Sequence, residues 1–190
     1  LEDGLTGVGN RRAFDCALST LWAEAKQAGT PLAVLFVDVD FFKKYNDRHG
    51  HPMGDRCLVR VAEVLRELTS TQCGFVARYG GEEFAVLLPT FGQDALATAL
   101  RARQAIAALD LINRSGASAP VTVSIGFAIS TQLYSEEAFL LEADDALYRA
   151  KRRGRDRVEG EATGMPETEG NDETCARMSL ERCSARFHGN

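Results

Sequence analysis

Apolar residues recur at helical spacing between Arg11 and Ala28, at Phe14, Leu18, Leu21, Trp22 and Ala25, and Gly29 with Pro31 closes the stretch as a terminating glycine and a helix breaker would. The next run, LAVLFVDVD from Leu32 to Asp40, is apolar or β-branched at nearly every position before two acids end it. That is the pattern of a central strand buried on both faces. A short helix is predicted over Phe41 to Arg48 and a longer one from Asp55 to Leu68, with apolar residues at 58, 61, 65 and 68; the Gly and Pro of HGHPMGD mark a loop between them. Phe75 to Tyr79 and Glu82 to Leu88 read as a hairpin around Gly80-Gly81, a pair suited to the positive φ angles of a two-residue turn. Asp94 to Leu109 reads as a helix and VTVSIGFAIS, Val121 to Ser130, as a strand. Ser135 caps a helix reaching Arg153, with Glu136 and Glu137 in its first turn and Lys151, Arg152 and Arg153 in its last, both ends suiting the helix dipole. Gly154 stops that helix, and DRVE, Asp156 to Glu159, adds a short edge strand.

Without the first helix and the last strand, the order is β-α-α-β-β-α-β plus an added helix, an α+β arrangement that reads as an elaborated ferredoxin-like sheet with helices on one side. A chain of 190 residues with 45% hydrophobic content builds one good core, so residues 1–158 are expected to form a single domain. After Val158 the sequence is polar, Gly-rich and acidic with no periodicity, and residues 159–190 read as a disordered tail. Seven of the 27 acids but only three of the 22 Lys and Arg fall in that tail, which leaves 20 acids and 19 bases in the rest. A nearly neutral domain argues against nucleic-acid binding over a wide surface. The five cysteines show no CxxC spacing, which argues against a zinc site or disulfide framework. No run reaches the roughly 18 apolar residues of a membrane span, and no signal peptide is evident, so the chain reads as cytoplasmic. It opens without Met on LEDGLTGVGN, as a piece of a longer protein would.

Candidate chemistry sits where the apolar runs end. Asp38 and Asp40 lie two apart and share a strand face; they either begin a solvated loop or serve a site. Glu82 and Glu83 stand at another strand end and point to opposite faces, so at most one faces Asp38. If the hairpin lies beside the central strand, an Asp, a Glu and a backbone carbonyl such as that of Val39 make an all-oxygen setting that suits Mg²⁺ and leaves room for phosphates. Lys43, Lys44, Arg78, Lys151 and Arg155 are the cations to weigh as phosphate partners against plain surface charges. Asn46 and Asp55 flank the HGHPMGD loop. An Asp carboxylate accepts from both N1–H and the N2 amine of guanine, whereas adenine presents an acceptor there; Asp55 serves equally well as a helix N-cap. His49 and His51 lack a third nitrogen or sulfur ligand nearby, which disfavours a zinc site.

DGLTGVGNRRAF, VDVDFFKKYNDRHGHPMGD, ARYGGEEFAVLLP, VTVSIGFA and ADDALYRAKRRGRDRV together resemble the GGDEF-domain family of diguanylate cyclases, with GGEEF as the signature variant. The likeness runs from about Asp3 to Val158 and implies a nucleotidyl-cyclase palm, its central, mostly antiparallel sheet surrounded by helices. It implies condensation of two GTP into cyclic di-GMP with release of two pyrophosphates, dependent on Mg²⁺ with Mn²⁺ as an alternative. In that reading Asp38 and the Val39 carbonyl resemble the metal ligands, and Glu82 resembles the signature acid that binds metal and helps deprotonate the 3′-hydroxyl. Glu83 is a secondary metal candidate. Asn46 and Asp55 resemble the guanine readers, with His51 beside them; Lys43 and Arg78 resemble groups that stabilise phosphate charge, and Lys151 and Arg155 contacts to the triphosphate tail. Gly80 and Gly81 let the backbone approach the nucleotide closely. A homodimer is implied, because one domain holds one GTP, and an upstream sensory or receiver domain is expected.

Two places depart from the family pattern. Thr71-Gln72-Cys73-Gly74 stands where many members carry an RxxD product-binding site, so product inhibition there is expected to be weak or absent. Val8-Gly9 replaces the more usual Leu-Pro and is expected to loosen the N-terminal turn. The rival readings are a catalytically silent GTP-binding module and a palm-like polymerase fragment; the first is disfavoured by the presence of Asp38, Lys43, Arg78 and Glu82, the second by the near-neutral core.

Overall fold

The alternation of burial along the strand Ala33–Val39 (β1) sets the architecture: all seven residues are buried, odd positions facing one apolar cluster and Val34 and Phe36 the other. A computed structural model describes residues 1–109, 111, 120–130 and 135–161. The elements follow in order as α1 (Arg11–Ala28), β1, α2 (Phe42–His49), α3 (His51–Ser70), β2 (Phe75–Arg78), β3 (Glu83–Leu88), α4 (Gly92–Ala107), β4 (Val123–Ile129), α5 (Glu136–Arg152) and β5 (Val158–Gly160). The five strands are arranged β2-β3-β1-β4-β5. β5 lies parallel to β4 and every other pairing is antiparallel. β1 therefore sits in the middle, running from Ala33 opposite Leu88 to Asp38 opposite Glu83 on one side and to Val39 opposite Val123 on the other.

Both faces are covered, which corrects the expectation of helices on one side. Phe14 and Leu18 of α1 and Phe139, Ala143 and Leu147 of α5 pack with Val34, Phe36, Ala85 and Ala128, while apolar residues of α2, α3 and α4 cover Leu35, Val37, Val86 and Ile125. α5 seats on β4 at Gly126, where a Cβ would run into the helix backbone at Leu147 and Ala143. The helix ends obey their local signals. Asn10 accepts from the Ala13 N–H at the start of α1, Gly29 closes it at φ 65°, and Ser135 accepts from the Ala138 N–H to start α5.

Three local expectations change. HGHPMGD is not a loop: Gly50, at φ 83°, alone separates α2 from α3, and Pro52 lies in the first turn of α3, where its missing N–H costs no helix bond. Asp55 is thus inside α3 and is not its N-cap. The Gly80-Gly81 connection is not a two-residue turn with positive φ. The ladder ends at Arg78 opposite Phe84, the Tyr79 and Gly80 N–H groups both donate to the Glu83 carbonyl, and neither glycine is among those with positive φ. β5 carries the sheet to Gly160, two residues past the expected boundary; the tail from 162 onward lies outside the described residues.

Val8-Gly9 does not loosen the N-terminal turn. Val8 is buried, the Gly9 N–H donates to the Val76 carbonyl at 3.0 Å and the Gly9 carbonyl accepts from the Arg78 N–H at 2.7 Å. A Cβ on Gly9 would stand 2.7 Å from the Phe75 ring, so glycine here permits close docking of the entering chain on β2.

Candidate active site

The acids meet at one end of β1. Glu83 opens β3 directly opposite Asp38, so these two side chains share the sheet face that α5 covers. Glu82 enters through its backbone: its carbonyl accepts from the Val39 N–H at 3.2 Å. In an antiparallel ladder a residue's N–H and C=O point the same way, so the Val39 carbonyl lies on the edge facing Glu82. α5 supplies Lys151, whose Nζ donates to Asp38 Oδ2 at 2.6 Å. Burial raises the Asp38 carboxyl above its ordinary range, the charges of Glu82 and Glu83 push the same way, and the Lys151 ammonium offsets only part of this.

Asp40 is no solvated loop acid either. It is buried and accepts from Thr122 Oγ1 and Ser124 Oγ at 2.7 Å each and from the Asp156 N–H at 3.0 Å. These bonds take the place of a counter-cation and tie the end of β1 to the turn after α5 that carries Arg155. Arg155 (φ 63°), Asp156 (φ 45°) and Phe41 (φ 55°) all adopt left-handed backbone, uncommon for such side chains and frequent around functional clefts. The Arg155 guanidinium lies 4.5 Å and the Lys44 ammonium 5.0 Å from the centre of the Phe41 ring.

The signature turn is braced from below. Arg78 Nε and Nη2 donate to the Gly81 carbonyl at 3.0 and 2.8 Å, and Nη1 donates to both Asp3 oxygens at 3.3 Å. Asp3 in turn accepts from the N–H and hydroxyl of Thr6. Burial alone would raise the Asp3 carboxyl, but the Thr6 bonds and the Arg78 charge outweigh it and the net shift is downward. Arg78 is therefore placed to hold the turn, with its guanidinium directed at Gly81 and Asp3. A Cβ on Gly80 would lie 2.6 Å from Glu83 Oε2, the free end of a side chain that can turn aside; Gly81 is open.

Asn46 lies against α3 where Gly54 makes space: a Cβ on Gly54 would overlap Asn46 Oδ1 and stand 2.8 Å from its Cγ. That Oδ1 is buried with no hydrogen-bond partner among the described residues, as is the hydroxyl of neighbouring Tyr45. Lys43, His51 and Asp55 are exposed on α2 and α3, on the sheet face opposite Lys151. A groove of about 290 Å³, lined by Phe36, Tyr79, Glu83, Leu140 and Leu147 among others, lies on the α5 side and so is not the space beside Asn46 and Asp55. The Thr71–Gly74 segment is tied to the body by Gln72, which hydrogen-bonds Thr98.

The family model for "Diguanylate cyclase, GGDEF domain" matches residues 1–157. The chain belongs to the GGDEF-domain family. Among similar proteins, diguanylate cyclase DgcP of Pseudomonas aeruginosa is 42% identical over 160 residues, covering 84% of this chain and 24% of its own length. Diguanylate cyclase DosC of Escherichia coli is 39% identical over 158 residues, covering 83% of this chain and 34% of its own. The chain thus spans about a quarter to a third of these relatives. The crystal structure of the GGDEF domain of DgcB from Caulobacter crescentus in complex with c-di-GMP superposes with a TM-score of 0.80 at 37% identity, covering 86% of this chain and 96% of that one. The GGDEF fold is therefore the α+β sheet described above. Among the described residues no helix is long and apolar enough to cross a membrane.

Contacts that sequence reasoning missed surround the GGDEF signature: Asp3 beneath Arg78, the three donors on Asp40, the Gly54 seat for Asn46 and the Lys151–Asp38 pair. Of these only Asp3 had a local signal, the Asp-x-x-Thr spacing of a side-chain-capped turn.

Proposed function

We propose that this GGDEF domain condenses two GTP molecules into cyclic di-GMP with release of two pyrophosphates, one GTP held by each of two copies facing each other. The observation that carries this reading is the junction of Asp38, Glu83, the Glu82 backbone and Lys151 at one strand end, where acids and a cation meet on the α5 side of the sheet. Residues 1–158, with β5 carrying the sheet on to Gly160, form the catalytic unit in this reading; the acidic tail beyond the sheet takes no part, and an upstream sensory or receiver domain brings the copies together in the cytoplasm.

Among the described residues no three His, Cys, Asp or Glu side chains form a ready-made metal cage. A Mg²⁺ that shares phosphate oxygens needs only one or two protein carboxylates. Asp38 fits, as a carboxylate whose burial and acidic neighbours outweigh its lysine partner. Asp38, the Val39 carbonyl and Glu82 would hold Mg²⁺, or Mn²⁺ in its place, with Glu83 as a further ligand; Glu82 precedes the first residue of β3, so strand alternation does not turn it away, and its charge reaches Asp38 as that of Glu83 does. Such an ion supplies charge stabilisation to attacking and leaving oxygens.

The chain's own groups do the rest. Glu82 accepts the proton of the 3′-hydroxyl as its oxygen attacks the α-phosphate in line. Lys43, Lys151 and Arg155 neutralise the charge that gathers on the departing pyrophosphate. Arg78 acts as a positioning residue by fixing the Gly81 carbonyl, with Gly80 and Gly81 leaving the backbone open to the nucleotide. Asp55 accepts from guanine N1–H and N2, His51 lies beside it, and the unpartnered Asn46 oxygen is an acceptor that a base N–H would satisfy. Incubation with GTP and Mg²⁺ followed by chromatography tests this. Cyclic di-GMP with two pyrophosphates per product is expected, whereas bound GTP with no pyrophosphate released would leave a silent module or a domain deprived of the partner that pairs it.

A further inference from the structure

We infer that Lys151 guards the metal ligand Asp38, so that a free divalent cation is held poorly until a polyphosphate draws the lysine away. The inference rests on the proposed reading in which Asp38 takes the metal and Lys151 meets phosphate. Its own basis is the ion pair. Nζ lies 2.6 Å from Asp38 Oδ2, with the Asp38 side chain 12% exposed and that of Lys151 30% exposed. This is a short, charge-assisted bond. Among the described residues no salt bridge engages Glu82 or Glu83, so the lysine is placed on one acid of the cluster, the one at its centre.

An ammonium and a divalent cation compete for the same oxygen, and two cations on one carboxylate oxygen repel each other strongly where water is scarce. Lys151 stands in the last turn of α5, its backbone fixed by the helix and its charge at the end of a flexible four-carbon stem. The ammonium can therefore swing to a phosphate without movement of α5, and the departure exposes Oδ2. A polyphosphate thereby does two things at once, removing the competitor and bringing oxygens of its own. Metal and nucleotide then enter together, and by linkage each favours the other equally. The domain keeps its acids closed to free metal ions by an internal cation.

The test measures binding of Mn²⁺ by electron paramagnetic resonance, first with no nucleotide. Lys151→Met is expected to hold Mn²⁺ about tenfold more tightly than the wild type, the scale of a partly buried ion pair lost as a competitor. Arg152→Gln removes the neighbouring charge, which lies over Tyr148, and is expected to shift affinity by less than about threefold, as a screened surface charge would. Equal affinity in wild type and Lys151→Met, or an Arg152→Gln effect as large as that of Lys151→Met, overturns the inference. A second arm adds a non-hydrolysable GTP analogue, with which wild-type affinity is expected to rise towards that of Lys151→Met. If Asp38→Asn holds Mn²⁺ as tightly as the wild type in that arm, Asp38 is not the ligand, and the underlying reading fails separately from the gate.

Discussion

Gly126→Ala tests how the site is held. Gly126 sits mid-strand in β4 opposite Phe36 and outside the set of positive-φ residues, so alanine suits its backbone, and in the unfolded chain the change alone would stabilise by about 0.4–1 kcal/mol. The structure predicts the opposite sign. The new Cβ would lie 2.6 Å from Leu147 Cα and closer still to Leu147 N and Ala143 O, while ordinary contact begins at 3.4 Å. α5 must retreat by more than about 0.8 Å, the shift that would clear Leu147 Cα alone, and no rotamer change relieves a clash with backbone. Overpacking of this kind costs about 1–3 kcal/mol and occasionally more. We expect a net loss near 2–3 kcal/mol, at the upper end because backbone atoms are met. Urea unfolding of both proteins gives the difference from the midpoint and slope. Because α5 carries Lys151, turnover should fall as well, even at urea-free conditions where the variant remains folded. Stability within about 0.5 kcal/mol of wild type, the range of a neutral surface change, would refute direct seating of α5 on β4.

Glu82→Gln is expected to leave GTP binding largely intact and to lower turnover by at least about 10²-fold; near wild-type turnover in a folded variant would exclude Glu82 from the chemistry. Asp55→Asn should relax the preference for GTP over ATP measured by competition, since an amide no longer accepts from both guanine donors, and unchanged discrimination would remove Asp55 from base recognition. Asp3→Asn should cost about 1 kcal/mol at neutral pH, at the low end for charged hydrogen bonds because the pair still meets solvent. The folded carboxyl of Asp3 titrates below its unfolded value, so its contribution is present above that unfolded value and lost as pH falls through the folded one. The wild-type and Asp3→Asn unfolding curves should therefore converge in acid; a gap that persists there would contradict the brace.

Much of this was legible in the chain because local pattern and tertiary environment agree. The unbroken apolar run of β1 announced a strand covered on both sides, a signal that should have outweighed the ferredoxin-like template with helices on one. Asn10, Gly29 and Ser135 cap their helices as their types predict. Gly50, Pro52 and Gly54 misled because glycine and proline signal loops on average, while here one fits a single-residue junction, one a first helical turn and one a close helix contact. The Gly80-Gly81 pair misled for a related reason: paired glycines signal positive φ on average, and here neither residue adopts it. The Arg78–Asp3 and Lys151–Asp38 pairs span 75 and 113 positions, and spacing along the chain carries no information at that range. Cross-strand register, which puts Glu83 and not Glu82 opposite Asp38, likewise depends on where the ladder ends.

The central claim is that two copies, each holding one GTP, build the cyclic product together. Cyclic di-GMP formation from GTP and Mg²⁺ should be measured at two protein concentrations tenfold apart, in the range where the domain is chiefly monomeric. Specific activity should rise with concentration as the facing pair forms. Specific activity that stays constant across that range while the protein remains monomeric would contradict it.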